Sequence, residues 1–233
     1  MNLLNQYSLA KTIDNVSEAL LFGNTITVSE KSGIADFILN QHLQPGNYAN
    51  TFAPTKTDLQ EDLVLFTGEK IKSRAGKCHV LGEEASRILR KLSRDSDMVN
   101  EILNQADSGL RSRIDESIKS KRYQYGMYCC KSCSCALWLN LSSGGVFNDF
   151  KFLKAGINIL AEHKDGQGRW KGFPYYYTLY VLNEIPFEIS GKELAYAAKT
   201  IEEKLFKNFK GYSQYEIRRK YICQQILTKV NRN

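Results

Sequence analysis

Apolar residues recur at helical spacing along most of the chain, and few segments alternate as strands do. The stretch 7–22 carries apolar residues three or four positions apart, namely Leu9, Ile13, Val16 and Leu20. Gly23 follows them and is expected to end this helix. The same spacing predicts helices from Ser29 or Glu30 to His42 and over 80–93, 96–106, 109–120, 130–142, 148–163, 174–185, 190–208 and 213–230. Thr25–Val28 is the only candidate strand, and it is short.

Two helix starts carry the spacing of a capping box. Thr55 precedes Asp58 by three positions and predicts a helix that runs through Leu63 and Phe66 to a stop at Gly68. Ser190 precedes Glu193 by the same interval and predicts a second start. With this content the chain is expected to form one all-α domain over 1–233. Within it we distinguish an N-terminal subregion at 1–70, repeat-like hairpins at 71–187 and a C-terminal helical hairpin at 188–233.

Three predicted helices follow similar loops that contain glycine and basic residues. The loops are 74–79, 125–130 and 169–174, and helices 80–92, 131–141 and 175–185 follow them. Aligning the helices makes His79, Cys130 and Phe173 equivalent, and likewise Gly82, Cys133 and Tyr176. The period of about 40 to 50 residues suits one helical hairpin per repeat.

The third unit resembles the repeat of the terpenoid-cyclase and protein-prenyltransferase superfamily. Gly168-Arg169-Trp170 matches the Gly-x-Trp loop of that family, and Thr178–Leu182 matches the inner helix after it. The resemblance implies antiparallel helical hairpins in an incomplete α/α toroid, with the inner helices starting at one mouth. The cyclases' acidic Asp-x-Asp-Asp motif and the full Gln-Trp motif are missing from the sequence, so the family's activity does not carry over.

Composition and charge limit the kinds of environment and partner that the sequence predicts. The 233 residues are 42% hydrophobic and 24% charged, and no apolar run approaches the ~20 residues of a membrane span. The first residues lack a basic segment followed by an apolar block, so we expect no secretory signal and a cytoplasmic location. The net charge of +7 would permit nucleic acid as a partner, but acidic residues are interleaved with the basic ones. Solvated helix faces explain this charge better than a nucleic-acid footprint does.

Four of the six cysteines lie within seven residues, at 129, 130, 133 and 135. Cys130 and Cys133 form a Cys-x-x-Cys pair at a helix start, which favours a tetrahedral zinc site. His79 is the expected third ligand, since it aligns with Cys130. The fourth ligand is left open among His163, Cys129 and Cys78.

The same cysteines support two other hypotheses. Cys130 lies at a helix N-terminus beside Lys131, where a thiol pKa falls, so Cys130 is a candidate nucleophile or redox centre. His79 or His163 would then be its base, with Asp165 orienting it. Alternatively the cysteines pack in the core as small apolar side chains.

The segment 165–180 is the candidate ligand-binding segment. Its aromatic and basic residues suit an apolar, aromatic or sugar-like ligand with an anionic group such as a diphosphate; the candidates are Arg169, Trp170, Phe173, Tyr176 and Tyr177. The structural alternative is that Trp170 pins the loop to a neighbouring hairpin. The polar and aromatic segment Tyr48–Pro54 is a candidate border of the same pocket.

Two functions are weighed equally on this sequence. The first is an enzyme or small-ligand binder with a thiol- or zinc-containing pocket. The second is a non-catalytic interaction scaffold with core cysteines and a protein partner. Nucleic-acid binding stands well below both.

Overall fold

The computed structural model describes residues 2–93, 96–207 and 213–232, and within them it confirms the all-α prediction. The α-helices are α1 (Leu9–Leu21), α2 (Val28–Leu39), α3 (Lys56–Gln60), α4 (Arg74–Leu92), α5 (Asp97–Lys119), α6 (Lys131–Ser142), α7 (Phe150–Glu162), α8 (Tyr175–Glu184), α9 (Phe187–Lys207) and α10 (Gln214–Arg232). A two-stranded sheet joins β1 (Leu63–Val64) to β2 (Lys70–Ile71), and a 3-10 turn covers Val146–Asn148. The predicted helix end at 208 lies outside the described residues.

The N-terminal half departs from the prediction at two places. Thr25–Val28 is not a strand, because Thr27 is the N-cap of α2 and forms a full capping box with Glu30. The Thr55–Asp58 capping box is confirmed, but α3 ends at Gln60. The chain then forms the β1–β2 hairpin, in which Leu63 pairs with Ile71. Short apolar runs fit helix and strand periods alike, and Gly68 with φ +94° allows the intervening turn.

The predicted helices 96–106 and 109–120 form one helix, α5. The predicted break between residues 106 and 109 is absent, and Gly109 lies in mid-helix. A Cβ at Gly109 would approach the carbonyl oxygen of Ala49 to 2.1 Å. This glycine therefore lets the 44–54 loop cross α5 closely, and that loop reaches the candidate site described below.

Two other predicted helix starts were also wrong. Arg74–His79 is not a loop, because Ser73 caps α4 and the first helical residue is Arg74. Ser190 and Glu193 lie inside α9, not at its start. The Ser190 hydroxyl donates to the carbonyls of Ile185 and Pro186, and Glu193 binds Lys164 and Trp170 of the segment between α7 and α8.

Helices α4, α6 and α8, which carry the three predicted repeats, form the centre of the molecule. α4 packs most extensively against α6, and α6 packs against α8. Every residue of α6 from Cys133 to Leu141 is buried, as is every residue of α8 from Tyr177 to Asn183. Helices that are apolar all round belong in an interior. The toroidal closure of these hairpins stays a prediction.

Charged side chains join the outer helices to this centre. Arg87 of α4 is buried, donates to Glu84 at 2.9 Å and reaches the Ser17 hydroxyl of α1. Arg218 of α10 is equally buried and pairs with Asp14 of α1 through two hydrogen bonds of 2.7 and 2.8 Å. These contacts fix α1 against α4 and α10. No helix within the described ranges is long and apolar enough to cross a bilayer.

Candidate Cys/His site and adjoining cavity

The start of α6 positions three thiols. Cys130 is the N-cap residue with φ −61° and ψ 166°, and Cys133 lies one turn into the helix. Cys133 is fully buried between α6 and its neighbours, Cys129 is half-buried, and Cys130 is the most exposed of the three. The burial of α6 thus turns Cys133 inward, while the two adjacent cysteines remain at the edge of the core.

His79 of α4 meets these thiols. Three potential ligand atoms, one each from His79, Cys129 and Cys133, lie within 4.8 Å of one another. The Sγ atoms of Cys130 and Cys133 are 3.2 Å apart. The close contact between α4 and the start of α6 therefore brings the imidazole of His79 to two thiols, those of Cys129 and Cys133, while Cys130 contacts Cys133 and is not part of this group of three. Such a group could hold a metal ion.

The three thiols share their protons unequally. Hydrogen bonds from Cys129 and Cys133 lower the pKa of Cys130, and backbone amides at the start of α6 add to this shift. Hydrogen bonds among the three thiols and burial raise the pKa values of Cys129 and Cys133. The first proton lost from the cluster accordingly comes from Cys130, and a thiolate is available as a nucleophile or metal ligand.

The imidazole of His79 is held neutral and in place. Burial lowers its pKa, so at neutral pH the ring carries a lone pair for a metal. Its Nδ1 atom is buried without a hydrogen-bond partner. The ring of Tyr48 packs against the imidazole with 3.8 Å between the ring centroids, and the ring of Tyr128 lies farther away, with 5.9 Å between centroids. Two aromatic rings therefore fix the orientation of the imidazole.

A cavity of about 510 Å³ opens beside this group. His79 and Cys129 lie in its wall, so the Cys/His group faces the cavity and is not sealed in the core. The remaining wall comes from the 44–54 loop, α4, the end of α5 and the segment after it. These residues are Tyr48, Ala75, Arg113, Glu116, Ser117, Ser120, Arg122, Tyr123 and Tyr128.

A buried carboxyl group lies behind the site. Glu83 is one helical turn from His79 on α4 and is fully buried. Burial raises its pKa to about 8, although the amide of Asn140 donates a hydrogen bond of 2.7 Å to it. The pKa of Tyr128 is raised well above its usual range by burial and by the nearby Glu83 carboxylate. Glu83 therefore remains protonated through neutral pH.

Other predicted site residues lie elsewhere. His163 caps the C-terminus of α7, with Nδ1 2.9 Å from the carbonyl oxygen of Ile159 and its ring against Phe173. Asp165 accepts hydrogen bonds from backbone amides of its own loop. Cys78 is buried, and burial raises its pKa. Among the described residues, the group that meets His79 contains Cys129 and Cys133 but not the predicted ligands Cys130 and His163, nor Cys78.

The predicted ligand-binding segment packs mainly against protein. Trp170 is buried and donates its indole N–H to Glu193 of α9 at 2.8 Å, so it pins the loop to the C-terminal helices. Phe173 stacks on Trp138, and the Tyr177 hydroxyl donates to Glu84 at 2.6 Å. Arg169 lies over Tyr175, and Tyr176 lies under Arg219. The wall of the 510 Å³ cavity includes none of the five candidates, and their part in ligand binding stays a prediction.

Sequence reasoning missed several residues around the cavity. Arg113, Ser117, Arg122 and Tyr128 were not among the predicted site residues. A helical pattern places Arg113 and Ser117 on one face of α5, four positions apart. Only the fold shows that this face turns toward His79. Tyr48 carried a usable signal, because aromatic residues in an ordered polar loop are typical of pocket walls.

No family model matches the chain, and no curated protein and no solved structure is significantly similar to it.

Proposed function

We propose that this protein is a zinc-containing small-ligand-binding protein. His79, Cys129 and Cys133 are three ligands of the zinc, and Cys130 is the fourth. The observation that carries the proposal is the joint placement of these donors: an imidazole and thiols from two helices converge, and two of them line a 510 Å³ cavity.

The donor set suits zinc. Thiolate and imidazole are its usual protein ligands, and one histidine with three cysteines is a common structural set. A tetrahedral zinc with bonds of about 2.0 to 2.3 Å needs donor atoms about 3.5 to 3.8 Å apart. The spacing within 4.8 Å for three donors and 3.2 Å for Cys130–Cys133 lies near this requirement. The buried, unpartnered Nδ1 of His79 indicates a polar site that still needs a partner.

Zinc would give the cavity a rigid wall. It would bind α4 to the start of α6, and the stacked Tyr48 would extend this wall into the 44–54 loop. Small-molecule sites are concave and largely preformed, because ordering a loop on binding costs affinity. The metal therefore supports ligand binding by organising the pocket.

The test is elemental analysis of tag-free protein that has been saturated with zinc and desalted. We expect about one zinc per chain, lost in His79→Ala and Cys129→Ser and retained in Cys78→Ser. Cys78 is the matched control, since it neighbours His79 on α4 but lies outside the group. Cobalt loading should give the thiolate-to-cobalt absorption of a tetrahedral site. Wild-type protein that folds and retains no zinc would overturn the metal site.

The contact between Cys130 and Cys133 favours a second candidate function, a redox thiol pair. The Cys130 thiolate would attack an oxidised disulfide such as oxidised glutathione and release one glutathione thiolate. The Cys133 thiol would then lose its proton and displace the second glutathione, so that two electrons pass to the oxidant and a Cys130–Cys133 disulfide forms.

Thiol titration separates these candidates. Zinc-bound thiols should resist alkylation by iodoacetamide and become reactive after chelation. A metal-free protein with one fast-reacting thiol at Cys130 would favour the redox pair. Metal-free protein with uniformly inert thiols would favour the interaction scaffold, in which cysteines such as Cys135 and Cys223 simply fill the core.

A further inference from the structure

We propose that the cavity beside His79 binds a small organic anion, a molecule with an aromatic body and one phosphate or carboxylate group. This inference deepens the proposed function, since it names the ligand class of the same cavity. The cavity volume of about 510 Å³ lies within the range of small-molecule sites, roughly 300 to 1,000 Å³. It holds a substituted aromatic ring without requiring the helices to move.

The inner part of the cavity is aromatic. Tyr48, Tyr123 and Tyr128 line it, and the His79 ring adds a fourth flat surface. Tyr48 is already stacked on His79, so this surface is rigid before any ligand arrives. Aromatic walls bind a planar apolar body through burial and offset stacking. These side chains select for the body of the ligand, not for its charge.

The outer part of the cavity carries an available positive charge. Arg113 and Arg122 lie in the wall, and Arg113 is paired at 2.8 Å with Glu116. Arg122 lies over the Tyr123 ring, and no carboxylate in the described parts of the chain forms an ion pair with it. A guanidinium group with free donors beside an aromatic surface binds a phosphate or carboxylate through paired hydrogen bonds.

The end of α5 does not cancel this positive charge. The C-terminus of a helix is negative when its last carbonyls are free. Here the amides of Ser120, Lys121 and Arg122 donate to the carbonyls of Glu116, Ile118 and Ser117 at about 3.0 Å. The turn after α5 therefore satisfies these acceptors. Glu116 neutralises Arg113, so Arg122 is the guanidinium that makes the cavity mouth positive.

An independent observation also points to a ligand. The Ser117 side chain is 8% exposed and lines the cavity, yet its buried hydroxyl has no hydrogen-bond partner. Buried hydroxyl groups are nearly always satisfied in native structures. Ser117 lies one turn from Arg113 on α5, and a rotation of its side chain would let the hydroxyl donate to the anionic group that Arg122 attracts.

The experiment is calorimetric titration of the zinc-loaded protein with phenyl phosphate, with inorganic phosphate and with benzyl alcohol. Phenyl phosphate should bind at least tenfold more tightly than either fragment, because only it uses both halves of the cavity. Arg122→Ala should weaken phenyl phosphate binding about tenfold or more. Ser117→Ala should weaken it about three- to tenfold. Lys119→Ala is the matched control, since it removes an exposed positive charge from the same helix end outside the cavity wall.

Three results would overturn the inference. They are absence of phenyl phosphate binding, equal affinity for inorganic phosphate, and equal loss in Arg122→Ala and Lys119→Ala. Zinc content measured on the same samples separates this inference from the metal site. Zinc without phenyl phosphate binding defeats the ligand class alone. Tight, Arg122-dependent binding of phenyl phosphate by protein that retains no zinc after zinc loading supports the ligand class and defeats the metal site.

Discussion

The ring of Tyr48 lies on the imidazole of His79, with 3.8 Å between the two ring centroids. This contact joins a loop of the N-terminal region to the first residue of the candidate metal site. Gly109 makes it possible, since the 44–54 loop crosses α5 at a point where no Cβ would fit. Tyr48 thus orients His79 without being a ligand itself, and His79 has no hydrogen bond at Nδ1 to do so.

Replacing Tyr48 should therefore weaken metal binding. In Tyr48→Leu the imidazole loses its stacking partner and samples more orientations, so we expect the zinc affinity to fall about tenfold. Competition with a chromophoric chelator measures this affinity. Tyr48→Phe preserves the stack and should keep the wild-type value. Equal losses in both variants would assign the effect to the hydroxyl group, and no loss in either would show that Tyr48 does not position His79.

The buried carboxyl group of Glu83 should make stability depend on pH. Its pKa in the folded protein is raised to about 8, against a value of 4.5 when exposed. Between these values the folded state holds a proton that the unfolded state releases, so stability is fully present below 4.5 and falls as pH rises toward 8. The slope from this one group is at most about 1.4 kcal/mol per pH unit.

Glu83→Gln removes that contribution while keeping a group that can accept from Asn140. Thermal or urea unfolding from pH 5 to pH 9 should show a flatter profile in the variant than in the wild type. The variant should gain most, relative to the wild type, at the alkaline end. An unchanged slope would mean that Glu83 is ionised in the folded protein at neutral pH.

The sequence predicted the helices of this protein better than their boundaries. Apolar periodicity predicted α4, α6 and α8, the similar segments before them suggested repeat units, and the structure puts all three helices in the centre. The predicted break before Gly109 was wrong, since this glycine lies in mid-helix and allows a close approach between loop and helix, and the predicted loop around Gly76 is the first turn of α4. A single sequence does not show whether a glycine ends a helix or makes room for a neighbour.

The candidate site could be predicted only in part from the sequence, for a similar reason. The Cys-x-x-Cys spacing identified Cys130 and Cys133, because its chemistry is local. The pairing with His79 came from aligning repeats, and the choice among His163, Cys129 and Cys78 required knowing which helix faces meet. The side of the cavity formed by Arg113, Ser117 and Arg122 belongs to an ordinary amphipathic helix, and nothing in that pattern indicates what lies opposite.

Gly156 should not tolerate a side chain. A Cβ there would lie 2.3 Å from Nε1 of Trp138 and 2.8 Å from the carbonyl oxygen of Gly126. These two atoms form a 2.8 Å hydrogen bond that joins α6 to the loop before it. Gly156→Ala should therefore destabilise the protein by about 1 to 3 kcal/mol through overpacking and displacement of the indole.

The control is a glycine in a similar helix with free space. A Cβ at Gly33 of α2 would meet its nearest neighbour, Leu4, at 3.9 Å, an ordinary contact. Gly33→Ala should stabilise the protein by about 0.5 to 1 kcal/mol, since alanine favours the helical backbone. Denaturant unfolding of the two variants compares these effects. Destabilisation by both would show that α2 is packed more tightly than the structure indicates.

Arg218 should contribute more to stability than any exposed ion pair. Its side chain is 1% exposed, binds Asp14 and Glu18 of α1, donates to the Phe66 carbonyl and lies 4.4 Å from the centroid of the Phe66 ring. Arg218→Met keeps the length of the side chain but leaves two carboxylates without their cation. We expect the free energy of unfolding to fall by about 2 to 4 kcal/mol. This is at the low end of the range for breaking a buried ion pair, because the two carboxylates are partly exposed to water.

The comparison for Arg218 is Arg113→Met, which breaks the exposed Arg113–Glu116 pair on α5. Both side chains of that pair are more than half exposed, so water replaces the lost interaction. The expected cost is below about 1 kcal/mol. Raising salt should reduce the Arg113 effect and leave most of the Arg218 effect, since buried charges are screened less. Similar losses in the two variants, or a strong salt dependence for Arg218, would contradict the buried junction between α1 and α10.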